Sequence, residues 1–148
     1  MLRKYRPEDL EDVLSAWAAA SAVAHPFLSD EFQAAARHEI ANVYLPITET
    51  WVWEADSRVV GFISLMGNEV GGFFVDPKSQ RLGIGRTLMD HVRGLHEHLE
   101  VEVFKANTIG RAFYAKYGFE PIQEKVHDET GFDIVRLRFN TRGDVGTE

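Results

Sequence analysis

The chain contains no cysteine, which excludes disulfides, thiolate metal sites and cysteine nucleophiles before any pattern is read. It also lacks an excess of positive charge. Its 16 Lys and Arg stand against 23 Asp and Glu, a formal charge of −7, whereas general binding of nucleic acid or of an anionic membrane needs a basic face. No apolar run approaches the roughly 18 residues that cross a bilayer. The start, Met1-Leu2-Arg3-Lys4-Tyr5-Arg6, turns charged at once and shows no apolar stretch of a secretory leader. What remains to expect is a soluble, cytoplasmic protein. Its 148 residues, 45% hydrophobic and 26% charged, suit one domain over 1–139 followed by a polar tail over 140–148. A chain of this size buries roughly two thirds of its unfolded surface, enough for a core without staples.

The periodicity supplies the order of elements. Leu2 to Tyr5 reads as a short strand, and Pro7-Glu8-Asp9 opens a helix with acids at the positive end of its dipole. Leu10, Val13, Leu14, Trp17 and Ala20 give it one apolar face through about Ala22. His25-Pro26 interrupts, Ser29-Asp30-Glu31-Phe32 caps a second helix, and that helix is expected to run through Ile40, Val43 and Tyr44 until Pro46. Thr50 to Ala55 and Val59 to Met66 then form a hairpin, and Glu69 to Val75 a third strand broken by Gly71-Gly72. Paired glycines inside a strand suggest a bulge, or a ligand close to the backbone. A long helix follows with Leu88, Val92 and Leu95 on one face. Leu99 to Phe104 is a strand, Thr108 to Tyr117 a short helix ended by Gly118, and Phe119 to Val126 and Phe132 to Phe139 are the last strands. The order β-α-α-β-β-β-α-β-α-β-β describes an α/β (α+β) mixed sheet with helices on both faces.

The most informative stretch runs from Phe73 to Thr87, where a strand enters a loop holding Gly83 and Gly85 and the loop opens a helix. Free N–H groups and the positive dipole at such a helix start suit an anion of the pyrophosphate kind. The two glycines permit approach where a β-carbon would block it, and Arg81 and Arg86 add local positive charge. A plain strand-to-helix connection is the competing reading of any such pair of glycines. A P-loop is absent, because GxxxxGK[ST] occurs nowhere. The segment Gly83-Ile84-Gly85-Arg86-Thr87-Leu88 lacks the third glycine of a dinucleotide fingerprint, although Glu102 stands near the distance of its ribose acid.

Gln80-Arg81-Leu82-Gly83-Ile84-Gly85 resembles the acyl-coenzyme-A signature [RQ]xxGx[GA] of the GNAT N-acetyltransferase family. A second stretch, Asn107-Thr108-Ile109-Gly110-Arg111-Ala112-Phe113-Tyr114 followed by Tyr117-Gly118-Phe119, resembles the family's NxxAxxFYxxxGF, with Gly110 where alanine is usual. His25-Pro26-Phe27-Leu28, Trp51-Val52-Trp53-Glu54 and Asp128-Glu129-Thr130 are similar to the small single-domain bacterial members of the YiaC and YjaB type. The resemblance spans Leu2 to Phe139. It implies the acyl-CoA N-acyltransferase fold, a mostly antiparallel mixed sheet of about seven strands with four helices. It also implies acetyl transfer from acetyl-coenzyme A to a primary amine, first a peptidyl lysine, with a small-molecule amine or a non-catalytic acyl-CoA sensor as alternatives. Phe73, Phe74, Val75, Gln80, Arg81, Leu82, Gly83, Ile84, Gly85, Arg86, Thr87, Asn107 and Tyr114 would hold the cofactor, without a metal. The protein would be a monomer or homodimer without nucleic-acid or membrane partners.

Within that resemblance Tyr114 matches the tyrosine that protonates the departing thiolate, and Asn107 the residue that binds the pantetheine arm. A helix aromatic and a helix N-cap are their ordinary readings. Two carboxylates are candidate bases for the attacking ammonium. Glu102 alternates with Val101 and Val103 on its strand, and Glu69 heads the third strand; water relays remain a third possibility. His25 and Phe27 lie in the loop expected to roof the acceptor site. His91, His96 and His98 read as a solvated helix end and not as a metal cluster, and Trp51 and Trp53 as core or groove wall.

Overall fold

The computed structural model describes residues 1–80 and 82–141. Arg81 and the end of the expected tail, 142–148, lie outside them. Among the described residues seven strands form one sheet in the order β1-β2-β3-β4-β5-β7-β6: β1 Leu2–Lys4, β2 Glu49–Ala55, β3 Arg58–Met66, β4 Glu69–Val75, β5 His98–Phe104, β6 Glu120–Val126 and β7 Asp133–Asn140. All neighbours are antiparallel except β4 and β5. Four helices accompany them: α1 Leu10–Ala24, α2 Asp30–Glu39, α3 Ile84–Arg93 and α4 Thr108–Tyr117.

Each face of the sheet carries its own apolar core. On one face Val13 and Trp17 of α1 pack on Val52, Val59 and Phe62, with Leu45 closing the side. On the other, Ile84, Leu88, Met89 and Val92 of α3 and Tyr114 of α4 pack on Ile63, Leu65, Val101, Val103 and Leu137. Alternation along a strand assigns residues to faces, and two bulges shift it. Val60 is skipped between the pairs Trp53↔Gly61 and Glu54↔Val59, so Val60 enters the α3 core although Phe62, two residues on, lies in the α1 core. Gly71 is skipped between Ser64↔Gly72 and Leu65↔Val70, the bulge that the paired glycines suggested. Val70, Phe73 and Val75 therefore share the α3 face while Phe74 faces α1.

The boundaries depart from the sequence reading in several places. The second helix does not continue to Pro46: α2 ends at Glu39, a wider π turn occupies Ile40–Tyr44, and a 3-10 turn over Leu45–Ile47 contains Pro46. A π turn often marks a place where tertiary contact overrides regular helix. Here it carries the Tyr44 hydroxyl to Gly71, where it lies 1.4 Å from the position a β-carbon would occupy. The long helix stops at Arg93, so Leu95 lies beyond it and is 52% exposed. Nor is His91 solvated, for its ring meets Trp51 at 4.2 Å and its Nε2 is buried. His96 instead pairs with Glu49 at 3.3 Å. Phe119 precedes β6 and belongs to the core, whereas every residue of β6 is exposed.

The steric meeting at Gly71 yields a prediction. Gly71→Ala should lower the free energy of unfolding by roughly 2 kcal/mol, the ordinary cost of inserting a methyl group into filled space. In a Tyr44→Ala background the same change should cost little. Urea denaturation of the four proteins measures this cycle, and equal costs in both backgrounds would show that the two residues do not compete for space.

Candidate active site

β4 and β5 pair at only two positions, Glu69↔Glu100 and Val70↔Val101. Beyond them the strands part, and a cavity of about 470 Å³ opens beside the gap. Its walls are Phe73, Phe74 and Val75 of β4, Gln80 and Gly83 of the following loop, Ile84, Gly85 and Arg86 of α3, and Asn107, Gly110, Phe113 and Tyr114 at and within α4; Ala20 and Ala24 of α1 close it. Both stretches singled out by their motifs therefore border one space, although their sequence positions are more than twenty residues apart.

Local chemistry explains the loop. Gly83 caps α3 with φ of 78°, a left-handed conformation that side chains with a β-carbon rarely adopt. Gly85 has a different reason, since a β-carbon there would stand 3.3 Å from Phe73 Cζ. The Thr87 hydroxyl donates back to Gly83 O at 2.8 Å, and the Gln80 amide donates to Val75 O at 3.1 Å. Those two side chains hold the loop to its own backbone. Leu82 is 75% exposed, and Arg86 lines the cavity.

At the other wall Asn107 is buried at the end of β5. Its Oδ1 accepts from Gly110 N at 2.9 Å, capping α4, and its Nδ2 lies 3.3 Å from His25 Nε2. Tyr114 is 6% exposed, with rings of Phe73, Phe113 and Phe119 around it. Burial pushes its hydroxyl well above the ordinary tyrosine value, so the group keeps its proton at neutral pH.

On the α1 face, β5 presents Glu100, Glu102 and Phe104. The Gly71 bulge puts Glu69 beside them, and Arg136 of β7 reaches all three carboxylates: Glu69 at 3.2 Å, Glu100 at 2.7 Å and Glu102 at 2.9 Å. Lys125 adds a second cation to Glu102 at 2.9 Å. Burial alone would raise the Glu102 carboxyl, but hydrogen bonds from Lys125 and Arg136 outweigh it and hold that group below the usual range. The Tyr44 hydroxyl, buried without a hydrogen-bond partner among the described residues, is pushed up to about 12, first by burial and then by the Glu69 carboxylate. Above this row stands an aromatic wall. Phe27 meets Phe104 at 5.5 Å and Phe132 at 5.1 Å, and His25 meets Phe74 at 6.3 Å and Phe104 at 5.3 Å. Both ring nitrogens of His25 are engaged, Nδ1 with Ser21 Oγ at 3.1 Å.

The structure thus gathers Tyr114, Asn107, Phe73, Phe74, Val75, Gln80, Gly83, Ile84, Gly85 and Arg86 around one cavity, with Glu69 and Glu102 on the acid row and His25 and Phe27 in the aromatic wall. Arg81 lies outside the described residues. Tyr44, Ser21 and Arg136 were not singled out from sequence. Only the pairing Glu102↔Arg136 across β5 and β7 reveals the arginine, and single-strand alternation carries no such signal. Among the described residues no group of three His, Asp or Glu could hold a metal, and no helix is long and apolar enough to cross a membrane.

The parted parallel strands, the glycine-capped helix and the buried tyrosine define an acyltransferase of the GNAT class. Residues 2–140 match the family model described as an acetyltransferase (GNAT) domain, and the chain belongs to that family. It is 34% identical over 131 residues to the peptidyl-lysine N-acetyltransferase YiaC of Escherichia coli strain K12, covering 88% of this chain and 90% of the relative. It is 31% identical, over 88% and 90%, to the peptidyl-lysine N-acetyltransferase YjaB of Salmonella typhimurium. The solution structure of apo YjaB from Escherichia coli superposes with a TM-score of 0.83 at 27% identity, over 94% of this chain and 96% of that one. A PaiA N-acetyltransferase from Thermoplasma acidophilum, solved in complex with coenzyme A, shares the fold with a TM-score of 0.74 at 19% identity, over 94% and 98%.

The acid row also bears on stability. Arg136→Gln should lower the free energy of unfolding by roughly 2 kcal/mol, less than the 3–5 kcal/mol of a fully buried pair because solvent reaches these side chains. Glu102 titrates lower in the folded than in the unfolded chain. Its share of the stability is therefore present above the unfolded carboxylate value and is lost as pH falls through the folded one. The difference in thermal midpoint between wild type and variant should shrink as pH drops from 7 to 3; a constant difference would contradict the ionic origin.

Proposed function

We propose that this protein transfers an acetyl group from acetyl-coenzyme A to the side-chain amine of lysine in a protein substrate. The observation that carries the reading is the cavity at the parting of β4 and β5, bordered by Asn107, Tyr114 and the capped start of α3. The activity named for the YiaC and YjaB relatives supports the choice of acceptor. Acetyl-coenzyme A, when bound, supplies a thioester. Its pyrophosphate would meet the free N–H groups at the start of α3 together with Arg86, and the carboxamide of Asn107 would receive its arm. The acceptor approaches on the α1 face, where the aromatic wall suits the aliphatic stem of lysine and the acid row attracts its ammonium.

The proton balance assigns the remaining roles. The ammonium must lose a proton before its nitrogen attacks the acetyl carbon, the C–N bond forms as the C–S bond breaks, the new amide nitrogen sheds its second proton, and the thiolate gains one, so one proton is released overall. Tyr114, which lies at the cavity wall and whose hydroxyl carries its proton at neutral pH as any tyrosine does, is the donor to sulfur. Glu69 is the better base of the two carboxylates. Glu102 accepts from two separate cations, and those bonds stabilise its anion; both oxygens of Glu69 accept from the one cation Arg136, and its side chain is the more open to solvent, 41% exposed against 27%.

Turnover of acetyl-coenzyme A with lysine peptides and with small amines, read as free thiol release, tests the reading. Peptides should be the faster acceptors, and turnover restricted to small amines would overturn the protein-lysine assignment. Tyr114→Phe should cut kcat by roughly 10²-fold while coenzyme A affinity stays within a few fold, the range for a positioned proton donor. Unchanged kcat, with chemistry shown to limit the rate, would remove Tyr114 from the mechanism. Glu69→Gln should lower kcat by at least tenfold and flatten the acidic limb of its pH profile, with a smaller loss for Glu102→Gln. The reverse ranking would move the base to β5.

A further inference from the structure

A chain of hydrogen bonds runs from the roof of the site to its floor. Gln33 Oε1 lies 3.3 Å from Ser21 Oγ, Ser21 Oγ 3.1 Å from His25 Nδ1, His25 Nε2 3.3 Å from Asn107 Nδ2, and Asn107 Oδ1 2.9 Å from Gly110 N. The protons in this chain can be assigned from one end. Gly110 N is a backbone donor, so the atom of Asn107 facing it is the carbonyl oxygen, and the amide nitrogen must face His25. An amide nitrogen only donates, so His25 Nε2 is the acceptor and the ring proton sits on Nδ1. Nδ1 then donates to Ser21 Oγ, which donates in turn to Gln33. Every donor meets an acceptor in one arrangement only, and an imidazolium would break it by setting N–H against N–H.

Two independent observations agree. The hydrogen-bond and ring partners of the His25 side chain among the described residues are Ser21, Asn107, Phe27, Phe74 and Phe104, none of them charged; His127 lies beyond Phe104. Burial among these groups pushes the imidazole down to about 4. Gly110 gives the second. A β-carbon there would stand 2.6 Å from Asn107 Nδ2 and 3.0 Å from its Cγ, so alanine in this helical position would drive the carboxamide away from His25.

We propose that His25, in its neutral Nδ1–H form, is a positioning residue that fixes the carboxamide of Asn107 for the arm of coenzyme A, and that Gly110 is the space this fixed carboxamide requires. The proposal rests on Asn107 as a contact for the cofactor. With one amide hydrogen and one lone pair held, Asn107 keeps a second hydrogen and a second lone pair for that arm. The lock also links the α1–α2 connection, on the acceptor side, to the cofactor side of the cavity.

Calorimetric titration of coenzyme A into the full chain and five variants tests it. His25→Phe keeps an aromatic ring without an acceptor and should weaken binding about five- to tenfold, the range of one net hydrogen bond. His25→Asn places its amide nearer the Ser21 side and should lose as much. His25→Gln, whose oxygen can stand where Nε2 stands, should recover most of the affinity. Gly110→Ala should weaken binding to a similar degree although alanine favours the helix, and should add nothing in a His25→Phe background. In turnover the loss should fall on KM for acetyl-coenzyme A, with kcat within about twofold.

Nitrogen-15 spectra of the wild type at pH 7 should show His25 protonated at Nδ1 and hydrogen-bonded as an acceptor at Nε2, a readout that needs no variant to fold. Wild-type binding with equal Kd in His25→Phe, or a proton on Nε2, would overturn the lock while leaving the proposed function standing. Absence of coenzyme A binding by the wild type would overturn the cofactor reading and the purpose of the lock together.

Discussion

The separation of β4 from β5 after two residue pairs is the constraint on which the rest of the site depends. A parallel pair that continued would fill the gap with its own hydrogen bonds. Here Gly71 bulges, the strand beyond it turns its free edge to the cavity, and the two sheet halves diverge. α3 starts at the end of one diverging strand and α4 at the end of the other. The positive start of one helix and the buried tyrosine of the next therefore border the same space. The same bulge decides which side chains face the α1 side, for if β4 alternated regularly through Gly71, Glu69 would share a face with Phe73 and Val75.

Electrostatics at the site works by pairing more than by excess. The chain carries a formal charge of −7, yet three glutamates of the acid row are organised around one guanidinium. A fork of N–H donors can hold several carboxylates at fixed distances, which a lysine point charge cannot do. Arg136 thereby makes the three carboxylates unequal, since Glu102 is further neutralised by Lys125 and Glu69 is left nearer to Tyr44. The polar side chains His25, Asn107 and Tyr114 are neutral for different reasons: the carboxamide carries no charge, and burial pushes the imidazole down to about 4 and the phenol well above its ordinary value.

Much of this was legible in the residues because it rests on local chemistry. The glycine loop, the cap at Asn107, the bulge at Gly71-Gly72 and the burial of Leu88 and Val92 follow from spacing and from backbone freedom. The end of α2 was not legible, because the π turn at Ile40–Tyr44 is set by where the Tyr44 ring must go, not by propensity in that segment. His91 looked like part of a solvated helix end because three histidines lie close together in sequence; only the position of Trp51 on β2 shows that its ring is packed. Arg136 was silent because its carboxylate partners lie more than thirty residues away across the sheet, and Ser21 because its bond to His25 gains meaning only through Asn107, which His25 meets from 82 residues away. The glycine at 110 had a visible cost in a helix, but the carboxamide that requires it could be found only in three dimensions.

The two outer strands of the sheet have a further consequence. β1 is three residues long, and β6 is exposed throughout, carrying Pro121, a register shift beside it, and Glu120, Glu124 and Lys125. An open strand edge is a row of unsatisfied amides that can template growth of a sheet from one molecule to the next. Here one edge is too short to seed such growth, and the other is interrupted by a residue without an amide hydrogen and by charges of both signs. A protein that leaves a gap open in the middle of its sheet thus closes its margins against fibrillar addition.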